Sequence, residues 1–253
     1  MDISLEEFAA IASMVFSGIA ILASIRSARI SAWGNIKASQ ASRSVDIFLM
    51  NEKRRVEKED RIRTYKEPLI RAAADLQSRI YNIVKGDFFQ TYYVEGGSRQ
   101  RDYAINNTVF LFAQFFAWTE AARCEIQFIS LDDDNQTREL CKLQNEIYHY
   151  MGTEKLGEVL MVFAGEQRAI GEGMLVPYAN GVKCIGYGKY VKDYIQPRDA
   201  SLNYLTEEIE RIAAGNTNDG HVRLTKMQHA LIDLMDFLDP DSIRFPKEDR
   251  EKL

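Results

Sequence analysis

Residues 8–25, FAAIASMVFSGIAILASI, are eighteen consecutive uncharged positions, apolar or small on every helical face. Ser4 followed by Glu7 has the spacing of a capping box, which predicts a helix starting near Leu5. Eighteen helical residues cover roughly 27 Å, just short of a bilayer's hydrocarbon core, so the run reads as a membrane span, with a buried core helix or an interfacial helix as the alternatives. The pattern then changes to helical spacing with polar faces. Leu69, Ala73, Leu76, Ile80, Ile83 and Val84 form one stripe, with Pro68 in the expected first turn and Gly86 as the stop. Residues 103–119, YAINNTVFLFAQFFAWT, read as a central core helix continuing to about Leu131, because Asn106, Asn107 and Gln114 interrupt the apolar run. Further helices are expected over 136–151, 199–213 and 222–238, the last ended by Pro240.

Between these elements the pattern breaks. Gly96, Gly97 and Ser98 mark a loop after the aromatic run FFQTYY at 88–93. Asp132, Asp133 and Asp134 read as a loop and helix cap, since the spacing and glycine of a calcium loop are missing. Residues 177–190 read as a loop with one short strand at 182–185. Residues 164–173, AGEQRAIGEG, place three glycines in a helical pattern, each about 1 kcal/mol worse than alanine there. Glycine at such positions marks close backbone approach, here a tight helix crossing.

Charge sharpens the picture. The net charge of -5 resolves into -3 over residues 1–25, +6 over 26–66 and -8 over 67–253. Residues 26–66 carry eleven Lys/Arg against five Asp/Glu. Cations follow the apolar run (Arg26, Arg29, Lys37, Arg43), and acids precede it. That order differs from a cleavable signal peptide and, by the positive-inside tendency, puts the N-terminus outside and the rest in the cytoplasm. Trp33 stands where an interfacial anchor would sit. Within 51–63, Glu57 with Arg61 and Glu59 with Arg63 have the i, i+4 spacing of an exposed helix. Nucleic-acid binding is disfavoured by the interspersed acids and by the absence of stacking aromatics.

The chemistry-bearing residues form no recognised catalytic motif. Cys124, Cys141 and Cys184 are scattered, as expected of reduced thiols. His229, Asp233 and Asp236 stand at i, i+4, i+7, which reads as a solvated polar face rather than a metal site. No cofactor, metal or catalytic residue is assigned. The candidate binding residues are Glu166, Arg168 and Glu172, which would line a polar cavity, and Asp75 and Arg79, an intrahelical pair at the core edge. Ser13 with Ser17, and Ala20, Ser24 and Ala28, have the small-residue spacing of closely packed helices in lipid, although an alanine-rich helix also produces it by chance.

KEPLIRAAADLQSRIYNI (66–83), GEQRAIGE (165–172), MQHALIDLMDFLDPD (227–241) and RFP (244–246) resemble a family of uncharacterised bacterial proteins with a hydrophobic N-terminal segment and a helical body. The resemblance implies a bacterial, mainly helical protein and carries no catalytic residue.

The expected protein is therefore all-α in three segments. Residues 1–30 are a single transmembrane anchor, 31–66 a basic juxtamembrane helix, and 67–253 a cytoplasmic bundle of six or seven helices. The expected location is the inner membrane, with the bilayer, an unidentified protein and a second copy bound through the N-terminal helix as partners. The expected function is a membrane-anchored interaction or sensor module. The alternatives are a membrane-acting effector, for instance in bacterial defence, and a helical enzyme with a polar cavity near Glu166, Arg168 and Glu172.

Overall fold

A computed structural model gives the fold. It describes the backbone of residues 5–126, 134–179, 181–195, 200–215 and 218–253. Side chains are described within those ranges except at 5–12, 15, 58–63, 125–126, 134–137, 200–201 and 218–219. The chain is mostly helical and divides into two compact units, Met1–Asp60 and Arg61–Leu253. Helix α1 (Leu5–Val84) contributes residues to both, and each unit is described by itself.

In the first unit α1 presents its described side chains to solvent. Arg55 pairs with Glu52 at 2.9 Å and Lys53 with Glu57 at 3.9 Å, consistent with an exposed, charge-laced helix. The expected cap at Ser4 and the pairs from Glu57 to Arg61 and from Glu59 to Arg63 lie outside the described residues or side chains.

The second unit holds the core. Pro68 does not open a new helix; α1 runs through it to Val84. Proline inside a helix costs about 3 kcal/mol through its missing N–H and a ring clash. Its neighbours Tyr65, Leu69 and Ile70 are buried, and each such side chain stabilises by about 1.5–3 kcal/mol, which outweighs that penalty. The helix ends two residues before Gly86, and the left-handed residue that turns the chain is Asp87, at φ 51°.

Helix α2 (Ser98–Ile126) is the central element, burying Val109, Phe112, Phe115 and Phe116 against α4 (Ala164–Met174) and α6 (Ala200–Ala213). Helix α3 (Asp134–Gly152) packs on α7 (Asn218–Leu238), which starts four residues before the expected 222 and buries Leu224, Met227, Leu231, Leu234 and Met235. The short strand expected at 182–185 is present one residue earlier, but the rest of the expected loop at 177–190 is ordered as its hairpin partner and a helical turn. Strands β1 (Leu175–Tyr178) and β2 (Gly181–Cys184) pair antiparallel, Leu175 opposite Cys184 and Tyr178 opposite Gly181, and α5 (Tyr187–Tyr190) follows. Glycine and proline content predicts a loop there, but Val176, Val182 and Cys184 pack on the core and order it. Residues 90–94 and 191–195 form two π-helical turns, Gln90–Val94 and Val191–Ile195.

Of the three glycines in α4, only Gly171 serves a crossing. A Cβ there would lie 2.6 Å from the Phe116 carbonyl oxygen of α2, whereas Gly165 and Gly173 face open space. Arg223 of α7 is fully buried and closes the end of α3. Its guanidinium donates to the carbonyls of Val159 at 3.0 Å, Met151 at 3.2 Å and Thr153 at 3.0 Å, and also to those of Tyr150 and Gly157. These carbonyls include orphans of the α3 C-terminus, which one cation satisfies from the neighbouring helix.

Candidate functional site

Three regions carry the residues singled out by the sequence. The first is the N-terminal part of α1. Met14, Phe16, Ile19, Ile21, Leu22 and Ile25 are all exposed, Met14 and Phe16 by 74% and 73%. At 100° per residue they cover more than half of the helix circumference. Alternating steps of four and three from Ser13 to Ala41 land on Ser, Ala or Gly every time, which leaves one narrow seam without bulk. Two serines on it fold back: Ser17 Oγ donates to the Ser13 carbonyl at 2.8 Å, and Ser24 Oγ to that of Ile21 at 2.8 Å. Arg26, Arg29, Lys37 and Arg43 are exposed, and the Lys37 ammonium stands 6.0 Å from the centre of the exposed Trp33 ring.

Among the described residues no helix is long and apolar enough to cross a membrane. Beyond Ile25, Arg26 and Arg29 enter any window of membrane length. Residues 8–12 and 15, the other part of the run, have side chains outside the described set. The transmembrane expectation is thus not supported by the described helix.

The second region is α4. Glu166, Arg168 and Glu172 are exposed and line none of four cavities among the described residues. Glu166 caps its own helix by accepting from the Phe163 N–H at 2.8 Å. Phe163 has no acceptor to return, so only the carboxylate half of a capping box exists. Arg168 is the outer end of a cluster that sequence spacing did not reveal. At its centre Glu120, 1% exposed, is gripped by Arg123 through two hydrogen bonds and accepts from Cys124 Sγ at 3.5 Å. Burial works to raise the Glu120 carboxyl, but hydrogen bonds from Arg123 and Cys124 and the charge of Arg168 hold it below its ordinary value. Burial, with Glu120 nearby, pushes the Tyr148 phenol up to about 12 and raises the Cys124 thiol. A raised thiol holds less of the reactive thiolate at neutral pH.

The third region lies along α1 and α7. Asp75 and Arg79 share one cavity of about 290 Å³ with Asn107 and Phe88 but are not joined as a pair. Arg79 instead donates to Asn107 Oδ1 at 2.7 Å and stacks over the Phe88 ring at 3.9 Å. Burial raises the Asp75 carboxyl, offset in part by Arg71, and burial lowers the Arg79 guanidinium against the opposing pull of Tyr103. The polar strip of α7 is a docking strip. His229 Nε2 bonds the Leu253 carbonyl oxygen at 2.7 Å, Asp233 pairs with Lys252 at 2.6 Å and Asp236 with Arg250 at 2.7 Å. Gln77 and Gln228 hold the same tail through the carbonyls of Asp249 and Glu251 at 2.9 and 2.7 Å. Each metal-spaced residue is thus occupied, and the described residues contain no cluster of three metal-ligating side chains.

Comparisons with protein-family models, with curated proteins and with solved structures find no match to this chain. No residue role is carried to these regions from a relative.

Proposed function

We propose that the protein is a membrane-anchored helical interaction or sensor module. In this reading residues 8–25 insert in the cytoplasmic membrane with the N-terminus outside, and the helical body serves as the cytoplasmic binding part. The observation that carries the reading is the run of exposed apolar side chains from Met14 to Ile25, spread around α1 and followed at once by the exposed cations Arg26, Arg29, Lys37 and Arg43. A soluble surface rarely carries so much contiguous apolar area. Lipid covers such a helix on all sides, and anionic headgroups attract the cations at about 1 kcal/mol each. Trp33, with Lys37 beside its ring, suits the interface.

The test is fractionation of cells expressing the full chain. The protein is expected in the membrane pellet after alkaline extraction, and a variant lacking residues 1–30 in the supernatant. Full-length protein in the supernatant overturns the anchor. Cleavage of the body by protease added from outside overturns the orientation.

A second reading, a membrane-acting effector, is favoured by the seam of small residues Ser13, Ser17, Ala20 and Ser24, along which helices of several copies approach closely in lipid. Toxicity on expression that disappears when residues 1–30 are deleted supports it; growth unaffected by the full chain refutes it.

A further inference from the structure

The two π-helical turns converge on one cavity. A π turn is rare, and its widened backbone is often found at functional sites. Tyr93 comes from the first turn and Tyr194 from the second; with Tyr190 of α5 they line a cavity of about 360 Å³ between α2 and α6. That volume lies at the small end of ligand pockets. The Tyr190 and Tyr194 rings stack at 6.1 Å with 14° between their planes, and Tyr187 stacks behind Tyr190 at 6.1 Å and 25°. The stack engages Tyr190 with both neighbours and leaves it 2% exposed, so the aromatic surface open to the cavity is that of Tyr93 and Tyr194. Burial pushes the Tyr190 phenol well above its ordinary value.

Part of the polar lining is unspent, although the Tyr194 hydroxyl donates to the Gly173 carbonyl and that of Thr206 to the Leu202 carbonyl at 2.8 Å. The Asn106 and Asn203 amides and the Asp102 and Glu210 carboxylates line the cavity, and none makes a hydrogen bond or ion pair to another described residue. The one cation, Arg101, donates to the Val94 carbonyl at 3.2 Å, the closing residue of the first π turn. Two carboxylates against one guanidinium repel an anion. A neutral ligand would leave both carboxylates without a countercharge. A cation answers both features, since aromatic faces attract it and carboxylates balance it.

We propose that this cavity binds a small organic ammonium ion, with Tyr93 and Tyr194 against the cation and Asp102 and Glu210 supplying the countercharge. The site goes beyond the membrane reading and stands whether or not residues 8–25 cross a bilayer.

Titration calorimetry on the full chain tests it, with choline, tetramethylammonium and spermidine as cationic probes. The uncharged choline analogue 3,3-dimethylbutan-1-ol, adenosine and inorganic phosphate are the controls. At least one cation is expected to bind, and the uncharged analogue at least about tenfold more weakly. Asp102→Asn and Glu210→Gln, whose side chains are not buried, are each expected to weaken the cation by about tenfold while leaving the helical circular dichroism unchanged. Tyr93→Leu keeps bulk but removes the π face and is expected to weaken it likewise. No heat from any of the three cations overturns the proposal. So does equal binding of the uncharged analogue, binding of adenosine or phosphate in place of the cations, or cation binding that both carboxylate variants leave intact.

Discussion

Arg250 and Asp239 are paired at 2.7 Å with each side chain 3% exposed, and this pair fastens the C-terminal tail to the end of α7. The Asp239 carboxylate also accepts the N–H groups of Ile243 and Arg244 at 3.1 Å and of Phe245 at 3.3 Å. Arg250 in turn donates to the carbonyls of Asp239 at 3.1 Å and Phe245 at 2.8 Å. Removing one partner of a buried pair leaves the other charge uncompensated, at a cost of about 3–5 kcal/mol. Arg250→Met is therefore expected to lower the free energy of urea unfolding by an amount in that range, read by circular dichroism. A loss below about 1 kcal/mol would place the pair among exposed ones.

The same carboxylate sets an acid limit. Burial acts to raise Asp239, but the three backbone N–H groups and Arg250 hold it below the ordinary aspartate value. A depressed folded-state value means that its stabilisation is complete above the unfolded value of about 3.9 and is lost as pH falls through the lower folded value. Unfolding midpoints measured from pH 6 downward are expected to fall steeply below about 3.9, and Asp239→Asn is expected to flatten that part of the curve.

The glycines of α4 separate crossing from propensity. Gly171→Ala places a Cβ against the Phe116 carbonyl and is expected to destabilise by about 1–3 kcal/mol, the usual size of overpacking. Gly165→Ala and Gly173→Ala meet open space and are expected to raise the melting temperature, each adding up to about 1 kcal/mol of helix propensity. Equal effects at the three positions would refute the crossing.

Arg223 holds five carbonyls from a fully buried position. Arg223→Met retains bulk and leaves those acceptors unsatisfied, so a loss of about 3 kcal/mol or more is expected. Arg223→Lys, lacking the planar fork, is expected to recover only part of it. Chemical denaturation of the three proteins reads the order directly.

Thiol labelling tests the burial of the hairpin. Burial pushes the Cys184 thiol up to about 12, and burial together with Glu120 raises Cys124. Iodoacetamide at pH 8 is expected to modify Cys184 far more slowly in the folded protein than in urea, with exposed Cys124 intermediate. Rapid modification of Cys184 in the folded protein would show that the hairpin does not cover it.

Periodicity made the helices legible. The stripe at Leu69, Leu76 and Ile80, the apolar center of α2 and the Leu224 to Leu238 face are all buried as their spacing predicts, because a helix needs one apolar side to pack at all. Three-residue and four-residue spacings also found the strip His229, Asp233 and Asp236, but not what covers it. Its partners, Arg250, Lys252 and Leu253, lie fourteen or more residues away along the chain, and no local rule connects them. The continuity of α1 through Pro68 escaped for a related reason. Local propensity opposes it, and the burial of Tyr65, Leu69 and Ile70 decides it.

What sequence alone determined is where most of the long helices of the body lie, the order of charge from acidic tip to basic collar to acidic body, and the apolar character of the N-terminal run, since each depends on neighbouring residues and the pitch of one helix. Tertiary structure decided which polar groups meet. It separated Asp75 from Arg79, gathered Glu120, Arg123 and Tyr148 beneath Arg168, gave Arg223 its carbonyls and brought three tyrosines from two π turns and α5 to one cavity. Most of those encounters join residues far apart in the chain, and their energies depend on burial, which no stretch of sequence carries by itself.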